Sequence, residues 1–132
     1  MRVLVVDDEY VSLKKMKVLL TPYGDVDVAS SGREALDKFS KAYWDEKNYD
    51  LITIDIEMPD IRGLDLLERL VDQEKLLMID PCKKIIVTAE GTVQNLAIAY
   101  KYKIDAFLVK PVQKLVLEKK LSEMGFSKTD EL

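Results

Sequence analysis

The chain alternates two hydrophobic periodicities. Short apolar runs rich in β-branched residues, the signature of buried strands, are followed by longer stretches whose apolar positions recur every three or four residues, as on one face of a helix. The predicted strands cover residues 2–6 (RVLVV), 25–29 (DVDVA), 50–55 (DLITID), 83–88 (KKIIVT) and 105–109 (DAFLV), the first, third and fourth reading as fully buried. The helical stripes are Leu13, Met16 and Leu20; Ala35, Leu36, Phe39 and Tyr43; Leu67, Leu70 and Val71; Val93, Leu96, Ala97 and Tyr100; and Leu117, Leu121 and Met124. On this pattern Tyr100 faces the core.

Boundaries are marked unevenly. Ser31-Gly32-Arg33-Glu34 matches a capping box, in which hydroxyl and carboxylate each satisfy an orphan backbone donor, so the second helix starts there. The long connections 40–49 and 72–82 each predict a helix that continues before a turn, with Pro81 marking one stop. Residues 1–126 then form one domain and 127–132 a frayed polar tail.

Regular β-α alternation implies a parallel sheet with right-handed crossovers and helices on both faces, a doubly wound α/β sandwich of five βα units. Ligands of such sheets sit outside the carboxyl ends of the strands. Four of those ends carry chemistry here: Asp7-Asp8-Glu9 after the first strand, Asp55 at the end of the third, Thr88 at the end of the fourth and Lys110 after the fifth. Crowding Asp7, Asp8 and Asp55 into one pocket with only Lys110 to offset them calls for a cation. Hard oxygen ligands with no histidine or cysteine beside them suit Mg²⁺.

Composition narrows the chemistry further. The 132 residues contain no histidine and one cysteine, Cys82, so the usual zinc sites, an internal disulfide and a histidine base or phosphocarrier are excluded. With a net charge of −4, intrinsic nucleic-acid binding is disfavoured, because no basic excess exists to neutralise phosphates. No apolar stretch reaches membrane-spanning length, and the opening MRVLVVD meets an acid too early for a secretion signal, so a cytoplasmic protein is expected. An aspartate beside Mg²⁺ and a lysine can act as a nucleophile toward phosphorus, forming an acyl phosphate whose equatorial oxygens the cations neutralise.

Four segments, VVDDE at 5–9, ITIDIEMPDIRGLDLL at 52–67, VTAE at 87–90 and AFLVKP at 106–111, together resemble the receiver domain of bacterial two-component response regulators over essentially the whole chain. The resemblance implies a flavodoxin-like (βα)₅ fold and a signalling function rather than an enzyme's, with catalysis limited to the domain's own phosphorylation and dephosphorylation. It implies Asp55 as phosphoacceptor; Asp8, Asp55 and the backbone carbonyl of Glu57 as Mg²⁺ ligands, with Asp7 acting through water; and Lys110 as the phosphate-pairing lysine. Thr88 is then the switch hydroxyl, Ala89 offers a backbone N–H to the phosphoryl group, and Phe107 is the aromatic residue that follows the switch. Lys110-Pro111 matches a bond that is cis in the family, and Glu57 and Glu90 occupy positions that govern access of water to the acyl phosphate.

The implied partners are a sensor histidine kinase or a histidine phosphotransfer protein and a downstream protein. The latter would meet the face of the fourth helix, fifth strand and fifth helix, where Tyr100, Lys101, Tyr102 and Lys103 are candidate contacts. The tail past Gly125 shows no output element, which favours a stand-alone regulator of the chemotaxis or phosphorelay kind. Arg62 replaces a common acid, Ile61 a common Met, and the stretch 101–104 lacks the Gly-Ala often found there. A haloacid-dehalogenase-like hydrolase would use similar residues, but it expects a second Asp two positions beyond the nucleophile, where Glu57 stands, and its acid pair late in the chain. An interaction module that keeps the fold without phosphorylation would lose pocket residues, and none is lost.

Overall fold

A computed structural model describes residues 1–129 of the chain. Five strands, β1 (Arg2–Val6), β2 (Asp25–Ala29), β3 (Leu51–Asp55), β4 (Lys83–Thr88) and β5 (Ala106–Val109), alternate with five helices, α1 (Tyr10–Leu20), α2 (Gly32–Trp44), α3 (Gly63–Leu77), α4 (Val93–Lys101) and α5 (Lys114–Glu123). The strands form one parallel sheet in the order β2-β1-β3-β4-β5. The strand order reverses between β1 and β3, which places the crevice for a ligand above their carboxyl ends. No helix among the described residues is long and apolar enough to cross a membrane.

Alternation along the strands builds two cores. Leu4, Val6, Ile52, Ile54 and Ile86 pack with Phe39, Leu67, Leu70 and Ala99 on the face covered by α2, α3 and α4. Val3, Val5, Leu51, Ile85 and Val87 pack with Met16, Leu20, Leu117 and Leu121 on the face covered by α1 and α5. β3 is buried along its whole length because it is the central strand and both of its faces are covered.

Local predictions and tertiary packing part company at α4. Ala99 is its one buried residue, whereas Val93 is 82% exposed and Tyr100 53% exposed, so the expectation that Tyr100 faces the core is corrected. The helix is buried through Ala99, with its larger apolar residues left outside. The capping box of α2 is also shifted: Ser31 Oγ accepts from the Glu34 amide at 3.1 Å, but the Glu34 carboxylate reaches back to the amide and hydroxyl of Ser30. The stretch expected to fray is tied down in its described part. Thr129 donates through both N–H and hydroxyl to the Pro22 carbonyl, and Lys128 pairs with Glu118; residues 130–132 lie outside the described residues.

Candidate functional site

The apolar runs end at the same edge of the sheet, so the polar residues that follow them meet there. Asp7 and Asp55 are buried at 4% and 3% exposure while Asp8 is exposed, and one carboxylate oxygen from each lies within 4.8 Å of the others. Lys110 Nζ stands 3.0 Å from Asp7 Oδ2 and 3.7 Å from Asp55 Oδ1. Its backbone N–H donates to the Thr88 carbonyl at 2.8 Å, which fixes the end of β5 against β4, and the following Lys110-Pro111 bond is cis. Asp7, Asp8, Asp55, Thr88 and Lys110 are thus gathered at one edge, as the strand-end positions predicted.

Three crowded carboxylates and one ammonium leave the site short of positive charge. Burial pushes the Asp55 carboxyl up to about 8, helped by a hydrogen bond to Glu57 and the charge of Asp7 and opposed by Lys110. Burial of Lys110 would favour its neutral form, but its hydrogen bond to Asp7 and the charges of Asp55, Asp7 and Glu9 prevail and raise it. Three hard oxygen donors within one coordination sphere fit a small divalent cation.

The loop after β3 is shaped by close approach. A Cβ on Gly63 would stand 2.2 Å from the Asp55 carbonyl oxygen and 2.6 Å from Ile56 Cα, so only glycine lets α3 start there; its N–H donates to Ile56 O at 3.0 Å. Asp60, in the same loop, accepts from the Gly32 and Arg33 amides at 3.1 and 3.0 Å and so caps α2 from across the fold. Neither role was read from the sequence. The glycine sits inside the quoted 52–67 motif, while the capping partner lies 28 residues away and leaves no local signal.

Glu57 is the largest departure from expectation. Its carboxylate accepts the Thr88 hydroxyl, and it hydrogen-bonds with Asp55 and with the Ala89 N–H. Burial disfavours its charge, yet these hydrogen bonds together with its own amide hold it below its ordinary value. Thr88, fully buried, also accepts from the Glu90 amide at 2.9 Å. Phe107 is half-buried against the larger core cluster, one strand from Thr88.

The protein-family comparison agrees with this geometry. The model of the response regulator receiver domain matches residues 3–122. The chain is 35% identical to chemotaxis protein CheY of Thermotoga maritima over 115 residues, 85% of this chain and 87% of that protein. It is 28% identical to hybrid signal transduction histidine kinase L of Dictyostelium discoideum over 125 residues, 94% of this chain but 7% of that protein. Among solved structures, the CheX-CheY-BeF3-Mg complex of Borrelia burgdorferi superposes with a TM-score of 0.83 at 25% identity, covering 96% of this chain and 90% of that one. A match over nearly all of the five βα units, joined to that acidic strand-end pocket, means that the chain belongs to the response regulator receiver domain family.

Proposed function

We propose that the chain is a phosphorylation-activated receiver that takes a phosphoryl group onto Asp55 from the phosphohistidine of a sensor histidine kinase or a histidine phosphotransfer protein. The observation that carries this reading is a buried strand-end aspartate whose Oδ1 lies 3.7 Å from Lys110 Nζ, within a trio of carboxylates spanning 4.8 Å. Asp55 Oδ forms the new bond to phosphorus as the P–N bond of the donor breaks, and the electron pair stays on the imidazole nitrogen. Asp8 and Asp55, with the Glu57 carbonyl and with Asp7 through water, would hold Mg²⁺. When bound, the metal supplies positive charge that ionises Asp55 and offsets the phosphoryl oxygens.

The chain's own residues do the rest. Lys110 pairs with a phosphoryl oxygen in place of its contact with Asp55. The Thr88 hydroxyl and the Ala89 N–H, leaving Glu57, donate to the other oxygens. Thr88 moving inward makes room for the Phe107 ring, and the resulting shift in population alters the surface of α4, β5 and α5. Exposed Val93, Tyr100, Val109 and Leu115 give that surface the apolar character of a protein-binding face, with Lys101, Tyr102 and Lys103 at its edge.

Intact-mass measurement after incubation with acetyl phosphate tests the proposal. A single phosphoryl adduct is expected on wild type with Mg²⁺ and absent without it or in Asp55→Asn. Failure to form an adduct, together with no Mg²⁺-dependent binding of beryllofluoride, would refute it and leave an interaction module. Sustained hydrolysis of phosphate esters would instead revive the hydrolase reading.

A further inference from the structure

Apolar burial does little to hold α4 in place. Ala99 is its one buried residue and Asn95, one turn earlier on the same face, is half-buried; every other residue of the helix is exposed. A helix with so little apolar surface covered depends on its polar contacts for its position.

Those contacts meet at Glu90, in the loop between β4 and α4. The Asn95 side-chain amide donates to the Glu90 carbonyl at 3.2 Å, and the Thr92 N–H donates to the same oxygen at 2.9 Å. Thr92 is itself the N-cap of α4, its hydroxyl accepting the Asn95 N–H at 3.1 Å. From its other side, Glu90 donates its N–H to the Thr88 hydroxyl at 2.9 Å. Thr88 is fully buried and gives its single hydroxyl proton to Glu57. An unbroken chain of hydrogen bonds therefore runs from the phosphorylation site through Thr88 and Glu90 to Asn95 and the first turn of α4. The loop that carries it lies against β5: a Cβ on Gly91 would stand 2.6 Å from Val109 Cγ2, so glycine permits the approach. Val109 is two residues past Phe107 and shares its face of the strand.

We propose that Asn95 is a positioning residue that ties α4 to the Thr88 hydroxyl, so that the state of the phosphorylation site sets the position of α4. The signalling half of this inference rests on the reading of Asp55 as phosphoacceptor. Drawing Thr88 toward a phosphoryl group takes the acceptor away from the Glu90 N–H. The loop re-forms around Glu90, and the Glu90 carbonyl carries Asn95, Thr92 and hence α4 with it. This route runs through main-chain and amide hydrogen bonds and is separate from the movement of the Phe107 ring. Coupling is reciprocal, so freeing α4 from the loop eases the inward move of Thr88 and leaves that move unfelt on the outer face of α4.

Asn95→Asp separates the tie from an effect local to the helix. It keeps the size of the side chain and puts a negative charge in the first turn of α4, where the helix dipole favours it, but leaves no N–H to donate to Glu90. Amide exchange of the ¹⁵N-labelled full chain, without metal or beryllofluoride, is read by NMR at residues 97–101 of α4 and at β3 as the reference for global opening. The tie predicts exchange in α4 about threefold or more faster than in wild type, with β3 unchanged. A purely local role predicts slower exchange, because the helix is stabilised. Asn95→Gln, which keeps the donor, should lie nearer to wild type. With Mg²⁺ and beryllofluoride, the shift changes of α4 amides in Asn95→Asp should fall below about half of those in wild type, and the beryllofluoride Kd should drop about twofold to fivefold. Exchange in α4 no faster than in wild type, or α4 shift changes of full size in Asn95→Asp, would overturn the proposal. Failure of wild type to bind beryllofluoride would instead refute the phosphoacceptor reading and the signalling half with it, and the tie itself then stands or falls on exchange in the free chain.

Discussion

Glu57→Ala should tighten the binding of a tetrahedral phosphoryl mimic. In the structure the Glu57 carboxylate holds the Thr88 hydroxyl and the Ala89 N–H, the two donors proposed for the phosphoryl group, and it also bonds to Asp55. Any anion arriving on Asp55 must displace it. Each charge-assisted hydrogen bond contributes about 1.5–3 kcal/mol when shielded from water. Glu57 is exposed, however, and its released carboxylate recovers hydration, which leaves a net cost of about 1–2 kcal/mol for displacement. Removing the side chain therefore predicts about a 5- to 30-fold lower Kd for beryllofluoride at saturating Mg²⁺. Glu57→Gln, which keeps an acceptor but not the charge, should fall between. Isothermal titration calorimetry measures both variants, with Mg²⁺ affinity determined separately because the proposed metal contact of Glu57 is its backbone carbonyl. An alanine variant that binds beryllofluoride within twofold of wild type, or more weakly, would refute the reasoning.

The remaining predictions concern stability and the loop that carries the site. With its carboxyl held at about 8 against an ordinary 3.8, Asp55 keeps its proton longer in the folded than in the unfolded chain. Its contribution is complete below pH 4 and is lost as pH rises toward 8, so without divalent cation Asp55→Asn should gain about 2–4 kcal/mol over wild type between pH 5 and 8. Urea unfolding in a chelator measures the difference, and a gap that does not widen with pH would contradict the assignment. Glu74→Ala should lose about 3–5 kcal/mol by leaving the Lys84 charge buried and unpaired, whereas Glu74→Leu with Lys84→Met should recover most of that loss. A pair of singles and a double that add without coupling in urea melts would argue against a shared buried pair. Gly63→Ala should cost about 1–3 kcal/mol and weaken Mg²⁺ binding, since the added Cβ drives into the Asp55 carbonyl. Chemical denaturation together with a Mg²⁺ titration checks it, and normal values in both would disprove the collision.

The sequence by itself determined the sheet and the principal side chains of the site. Its strands were legible because β1, β3 and β4 are largely apolar runs buried on both faces while the edge strand β2, DVDVA, alternates polar and apolar residues, and the observed β1, β2 and β4 have the predicted bounds. Asp7, Asp55, Thr88 and Lys110 were legible for a related reason: each breaks off or follows an apolar run, and a parallel sheet carries all such ends to one edge. Tertiary structure alone decided the outward face of α4, where the contact line runs through Ala99 rather than the larger Leu96 and Tyr100. It also decided the capture of the Thr88 hydroxyl by Glu57, the capping of α2 by Asp60, the pairing of Lys84 with Glu74 and the anchoring of Thr129 on Pro22. These contacts join residues from different parts of the chain. Periodicity reports which face of a segment is apolar, but a polar side chain's partner is chosen by what the fold brings within hydrogen-bonding distance.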